Sequence, residues 1–122
     1  MMVPRRPREA TTPAGDEGSV TVEAALGIAS LVVVLAVAAA GAGAALTQIR
    51  LVDAAREGAR IAAISGAEPG EAVARTAAPA ATVTVDVSGR WATAEVSAPA
   101  RGLPGVDLSA RAVARTEPGA AG

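Results

Sequence analysis

Cysteine, histidine, lysine, tyrosine and phenylalanine are all missing from this sequence of 122 residues, and Trp91 is its one aromatic residue. Without thiols there is neither a disulfide framework nor a thiolate zinc site. Without imidazole the usual general base and the commonest metal ligand are gone. No nucleophile stands beside a base in any recognisable motif, so we expect no enzyme, no metal and no cofactor. Eleven basic side chains, all arginine, face twelve carboxylates for a net charge of −1. That balance gives no basic footprint for nucleic acid. Hydrophobic residues make up 51% of the chain, but most are alanine. A core of alanine and valine buries little area per residue, so a domain in water must be thin and helped by other contacts.

What is present begins with a polar leader. Residues 1–18 (MMVPRRPREATTPAGDEG) mix proline, glycine and charge without an apolar period, and we expect them to be disordered. Arg5-Arg6 is followed by Pro and lies far from the apolar run, which argues against a twin-arginine signal. From Ala24 to Leu46 there is no charged residue (AALGIASLVVVLAVAAAGAGAAL). As a helix this run is about 34 Å long, enough for a hydrocarbon layer of roughly 30 Å. Its leucine, isoleucine and valine side chains favour insertion by roughly 3–5 kcal/mol before the glycines are counted. We therefore assign residues 19–46 to a single transmembrane helix.

The helical period continues through Thr47–Ser65 and becomes amphipathic. Arg50, Asp53, Arg56, Glu57 and Arg60 gather on one arc, with Leu51, Ala54, Ala55, Gly58, Ile61 and Ala62 opposite. Pairs such as Arg50–Asp53 and Glu57–Arg60 are spaced for i,i+3 contact. Ser65-Gly66 supplies a stop, and Pro69-Gly70 confirms it. A short helix fits Glu71–Ala78. Beyond Pro79 the period changes to two: Val83, Val85 and Val87 share a face, Ser88-Gly89 turns the chain, and Arg90–Ala98 returns antiparallel. Leu108–Arg115 alternates again as a third strand. Such a sheet is marginal alone and requires the apolar side of Thr47–Ser65 as its second layer. Residues 66–117 thus form a small β-rich domain, with residues 118–122 as a frayed tail. Trp91 is expected to be its main core side chain, although Thr93 and Glu95 share its alternation and leave an exposed interface role open.

Charge counting near the span does not settle orientation, because Arg50, Arg56 and Arg60 follow it more closely than Arg5, Arg6 and Arg8 precede it. The junction Gly18-Ser19-Val20-Thr21-Val22-Glu23 is more informative. A polar leader ends in glycine, and a lone carboxylate stands five residues later at the entrance to the apolar run. This resembles the processing site of type IV pilin-like proteins. VTVEAA, the apolar helix and VDAAREGARIAA (Val52–Ala63) together resemble the TadE family of minor pilins of actinobacterial Tad-type loci, as does, less specifically, the later LPGVDLSARAVARTEP. The distinctive part runs from Gly18 to Ala63.

The resemblance implies a fold, a fate and partners. The fold is α+β and pilin-like: one long N-terminal helix, half transmembrane and half amphipathic, packed on a small three-stranded antiparallel sheet. A prepilin peptidase would cut between Gly18 and Ser19 on the cytoplasmic side, leaving the domain extracytoplasmic on a single-pass anchor. Other pilin subunits and the membrane platform of the Tad machinery would be its partners. Glu23 would be the registration charge, paired with an α-amine freed at Ser19. Without the resemblance, Glu23 reads equally as a boundary carboxylate that reaches out to the interface, since burying it unpartnered in lipid is costly.

Gly41 and Gly43 lie in a run of small residues that would let neighbouring helices approach closely in lipid, although compositional alanine bias explains the run equally well. Gly58 costs its helix about 1 kcal/mol relative to alanine, so a close approach by the sheet or another helix is expected there. Two alternatives stay open. Ala38-Ala39-Ala40 or Ala42-Gly43-Ala44 offers a signal-peptide cleavage site that would release a small secreted protein. An unprocessed single-pass anchor bearing a binding domain is the other.

Overall fold

The computed structural model describes residues 1–5, 7 and 14–118. Residues 6 and 8–13 of the expected leader and residues 119–122 of the expected tail lie outside these. Five elements follow in order: α1 (Ala14–Ser65), α2 (Ala67–Ala77), β1 (Thr82–Ser88), β2 (Trp91–Pro99) and β3 (Asp107–Arg115). The fold is α+β, a long N-terminal helix packed on a small three-stranded antiparallel sheet.

Helix α1 begins four residues before Gly18, so the leader's expected boundary is not an element boundary. Asp16 and Glu17 occupy its first turn, where carboxylates suit the unpaired N–H groups of a helix start. From there to Leu35 the helix is exposed all round, with Leu26, Ile28, Leu31 and Val32–Leu35 uncovered by protein.

From Ala36 onward the same helix carries the domain. Leu51, Ala54, Ala55, Gly58, Ala59, Ala62 and Ala63 are buried, while Arg50, Asp53, Arg56 and Arg60 are exposed. The amphipathic reading of Thr47–Ser65 holds, with Glu57 and Ile61 half-buried at the edges of the two faces. Glu57 and Arg60 form the expected ion pair at 2.6 Å. The guanidinium's hydrogen bonds hold the Glu57 carboxyl below its usual range and raise Arg60 in turn. Arg50 and Asp53 do not pair: Arg50 lines one groove beside α1 and Asp53 a different one with Arg56.

Gly66, at φ 99°, ends α1 and starts α2. Helix α1 stops where Ser65-Gly66 is expected to end it, but Pro69 and Gly70, read as confirming that stop, sit in the first turns of α2. A first-turn proline gives up an N–H that has no helical partner in any case. Gly70 is buried because α2 crosses α1 there: a Cβ on Gly70 would lie 2.6 Å from the Gly58 carbonyl oxygen and 2.6 Å from the Ala62 Cβ. A Cβ on Gly58 would lie 2.9 Å from that of Ala74 and 3.4 Å from that of Ala94. Gly58 therefore has the close approach its helical cost demands, from a helix and a strand together.

The sheet has the order β1-β2-β3, with Thr82–Ser88 paired to Ser97–Trp91 and Trp91–Pro99 paired to Arg115–Asp107. Gly89, at φ 59°, takes the first central position of the two-residue hairpin turn, where backbone twist favours glycine. Val83, Val85 and Val87 face inward with Ala92, Ala94, Val96, Leu108, Ala110, Ala112 and Ala114. Trp91 corrects the expectation of a tryptophan core: it is 56% exposed on the outer face with Thr93 and Glu95. The largest fully buried side chains are instead Leu51 and Val96. The α1–sheet gap is set by methyl groups, and an indole has no room in it.

Truncating Leu51 to alanine should destabilise the domain by about 2–5 kcal/mol, the range for an aliphatic core side chain. Trp91→Ala should change stability by no more than about 0.5 kcal/mol, as at an exposed site. Thermal unfolding followed by circular dichroism in detergent separates the two.

Candidate functional site

Apart from Gly58 at the α2 crossing, the residues proposed from sequence to carry function fall at two places on α1. The first is the entrance. Gly18, Ser19 and Glu23 all lie in regular helix and all are exposed. Ser19 and Glu23 stand four residues apart, one above the other on the same face. Gly18 has nothing within 4 Å of where a side chain would begin. Hydroxyls in this stretch bond back to their own helix: Thr21 Oγ1 donates to the Glu17 carbonyl at 3.0 Å and Ser30 Oγ to the Leu26 carbonyl at 2.8 Å. Such internal satisfaction is what a helix surrounded by hydrocarbon requires. Glu23 is different: among the described residues it has neither an ion-pair nor a hydrogen-bond partner. The arrangement is an uncovered apolar rod with, near its start, a carboxylate that has no partner among the described residues.

The second place is the end of the uncharged run. Gly41 is open, with nothing within 4 Å. Gly43 is not: a Cβ there would meet the Arg101 carbonyl oxygen at 2.9 Å. Gly102, at φ 84°, places its own Cβ position 3.1 Å from the Ala40 Cα. The loop between β2 and β3 is thus seated on α1 at Ala40 and Gly43. It is closed by the Ala100 N–H donating to the Val106 carbonyl at 2.7 Å, and Gly105 gives it a second left-handed residue at φ 79°. One turn further on, the Gln48 Nε2 donates to the Ser109 carbonyl at 3.1 Å, and Thr47 Oγ1 to the Gly43 carbonyl at 3.0 Å.

The three glycines grouped for helix packing therefore separate. Gly58 and Gly43 admit parts of their own chain, and only Gly41 remains free for a neighbour. Sequence reasoning reads Gly102 and Gly70 as loop and stop signals and assigns no contact with α1 to them or to Arg101. The signal for the loop was present in its small residues and two glycines (Ala100–Val106), but nothing in the spacing told which turn of α1 would receive it.

An apolar N-terminal helix, long enough to cross a membrane and continuous with a small α+β domain, defines a helix-borne domain protein compatible with a single membrane pass. The chain belongs to the same family as Apoptosis inhibitor Rv3655c of Mycobacterium tuberculosis, with which it shares 47% identity over 98 residues, 80% of this chain and 78% of that one. No family model matches the chain, and no solved structure matches it.

Gly43→Leu should unseat the Ala100–Val106 loop and free the backbone at the exposed Arg101–Gly102 bond to fit a protease, raising the rate of limited trypsin cleavage there at least several-fold. Gly41→Leu should leave that rate unchanged. Mass spectrometry of the fragments reads both outcomes.

Proposed function

We propose that this chain is a non-enzymatic minor pilin, or an assembly factor, of a Tad-type pilus or secretion system. In this reading it is delivered to the cell membrane, trimmed after Gly18 by a prepilin peptidase, and held by the first half of α1. The domain then lies on the extracytoplasmic side. One observation supports the reading: the Gly18-to-Glu23 junction leads into an apolar helix that, among the described residues, no other part of the chain covers as far as Leu35. Cleavage would place a new α-amine at Ser19, four residues from Glu23 and about 6 Å along the helix axis. That amine can neutralise the carboxylate in its own chain or in a neighbour. Charge neutralisation across subunits then fixes their register in lipid, where an unpaired acid is disfavoured.

The structure weighs against release by signal peptidase. Cutting near Ala38–Ala40 or Ala42–Ala44 would sever the helix where the Ala100–Val106 loop is seated. The relative's name favours a second reading, inhibition of apoptosis. Host cells given an apoptotic stimulus with and without the full chain test it: reduced cell death supports that activity, and unchanged death leaves the pilin reading alone.

In cells with an active prepilin peptidase, N-terminal sequencing should return Ser19 as the first residue. A start at Met1 or Met2 would assign an unprocessed anchor, and a start near Gly41 a secreted protein. Glu23→Ala should still enter the membrane fraction but lose co-purification with filament subunits by about tenfold. Undiminished recovery would remove Glu23 from its role.

A further inference from the structure

The end of the domain nearest the uncharged run holds a groove of about 500 Å³. That volume falls within the range of about 300–1,000 Å³ usual for small-ligand sites. Its floor is apolar, made by Leu51 of α1, the Ala77–Ala81 connection and the end of β2 at Ala98–Pro99. Its charged lining consists of Arg50 and Arg101, with no carboxylate among the lining residues. Neither guanidinium has an ion-pair partner among the described residues.

The position of these two charges decides what they suit. Arg101 follows the loop backbone onto Gly43, inside the uncharged run, and Arg50 comes one turn after Leu46, where that run ends. Both therefore stand where the apolar helix gives way to charged helix. A guanidinium is a planar fork that matches phosphate oxygens two at a time. An apolar floor next to it accepts the glycerol and first methylenes of an acyl chain.

We infer that the Arg50–Arg101 groove is a binding site for the headgroup of an anionic phospholipid, which seats the domain on the bilayer surface. The inference rests on α1 lying in the membrane, as proposed above, but on neither leader cleavage nor filament assembly. It also gives a use to a basic residue just after the span, which the charge-counting rule for orientation leaves unexplained.

The full chain in detergent, titrated with phosphatidylglycerol or phosphatidylcholine and followed by native mass spectrometry, tests the site. The wild type should retain phosphatidylglycerol about 30-fold more tightly than phosphatidylcholine, as expected for two arginines near an anionic surface. Arg50→Gln with Arg101→Gln should remove that preference, and Arg50→Lys with Arg101→Lys should keep part of it. Arg56→Gln, which removes a charge from α1 outside the groove, should keep all of it, and circular dichroism should show every variant folded.

Equal retention of the two lipids by the wild type would overturn the inference, as would an equal loss in the Arg56 variant. Displacement of the lipid by equimolar inorganic phosphate would mean a phosphate site instead, and cross-linking of a second copy through the groove would mean a subunit contact. A chain that stays in solution without detergent refutes the membrane reading and this site together. A chain that needs detergent yet ignores headgroup charge refutes this site alone.

Discussion

The domain depends on how closely backbones can approach when almost every buried side chain is a methyl group. At the crossing of α1 and α2, Gly58 and Gly70 bring a carbonyl and a helix within the distance that a single Cβ would occupy. β2 joins the same contact through Ala94. Large side chains stabilise ordinary cores by the area each one removes from water. Here the individual areas are small, and many atom pairs at van der Waals distance replace them. Such a core is thin and shallow. It places α1, α2 and the sheet so near one another that substituents on either glycine have nowhere to go.

Much of this architecture was legible before any coordinates. The helical arc of Leu51, Ala54, Ala55, Gly58 and Ala62 is buried as the 3.6-residue period requires, and the alternation of Val83, Val85 and Val87 set the inner face of the sheet. What misled was size and composition. Trp91 is the one bulky side chain, so it reads as a core residue, yet its alternation places it with Thr93 and Glu95 on the outside. Alternation was the better guide, because Ala92, Ala94 and Val96 already fill the other face. Pro69-Gly70 reads as punctuation from local propensity alone. In the fold the proline is harmless in a first turn and the glycine is required by a contact 12 residues back in sequence. Gly43 reads as a seat for a neighbouring helix for the same reason: its partner is Arg101, and no local pattern links the two.

The candidate site was legible in a different way. The glycine, the acid and the uncharged run are local features, and the structure places all three on one helix with the acid exposed and unpartnered among the described residues. What no local pattern contains is the extent of self-coverage. The stretch up to Leu35 offers its leucines, isoleucine and valines to whatever surrounds it, whereas from Ala40 onward one side of the helix is taken by its own domain. Any neighbouring helix must therefore approach the early turns or the side that carries Gly41. The similarity to a mycobacterial relative covers four-fifths of the chain, so it extends beyond the apolar run into the domain.

The seats on α1 have a consequence for how such chains can vary in length. Arg101 rests at Gly43, the Gln48 side chain bonds Ser109, and the Glu117 N–H reaches the Ala63 carbonyl at 3.4 Å. Helix α1 thus works as a ruler with three fixed marks. Inserting one residue between them would turn everything beyond it by about 100° and shift it by about 1.5 Å. Additions and deletions are tolerable before the first mark, in the Ser88–Arg90 turn or after the last strand, and a related chain that changed length between residues 43 and 63 would have to rebuild its sheet.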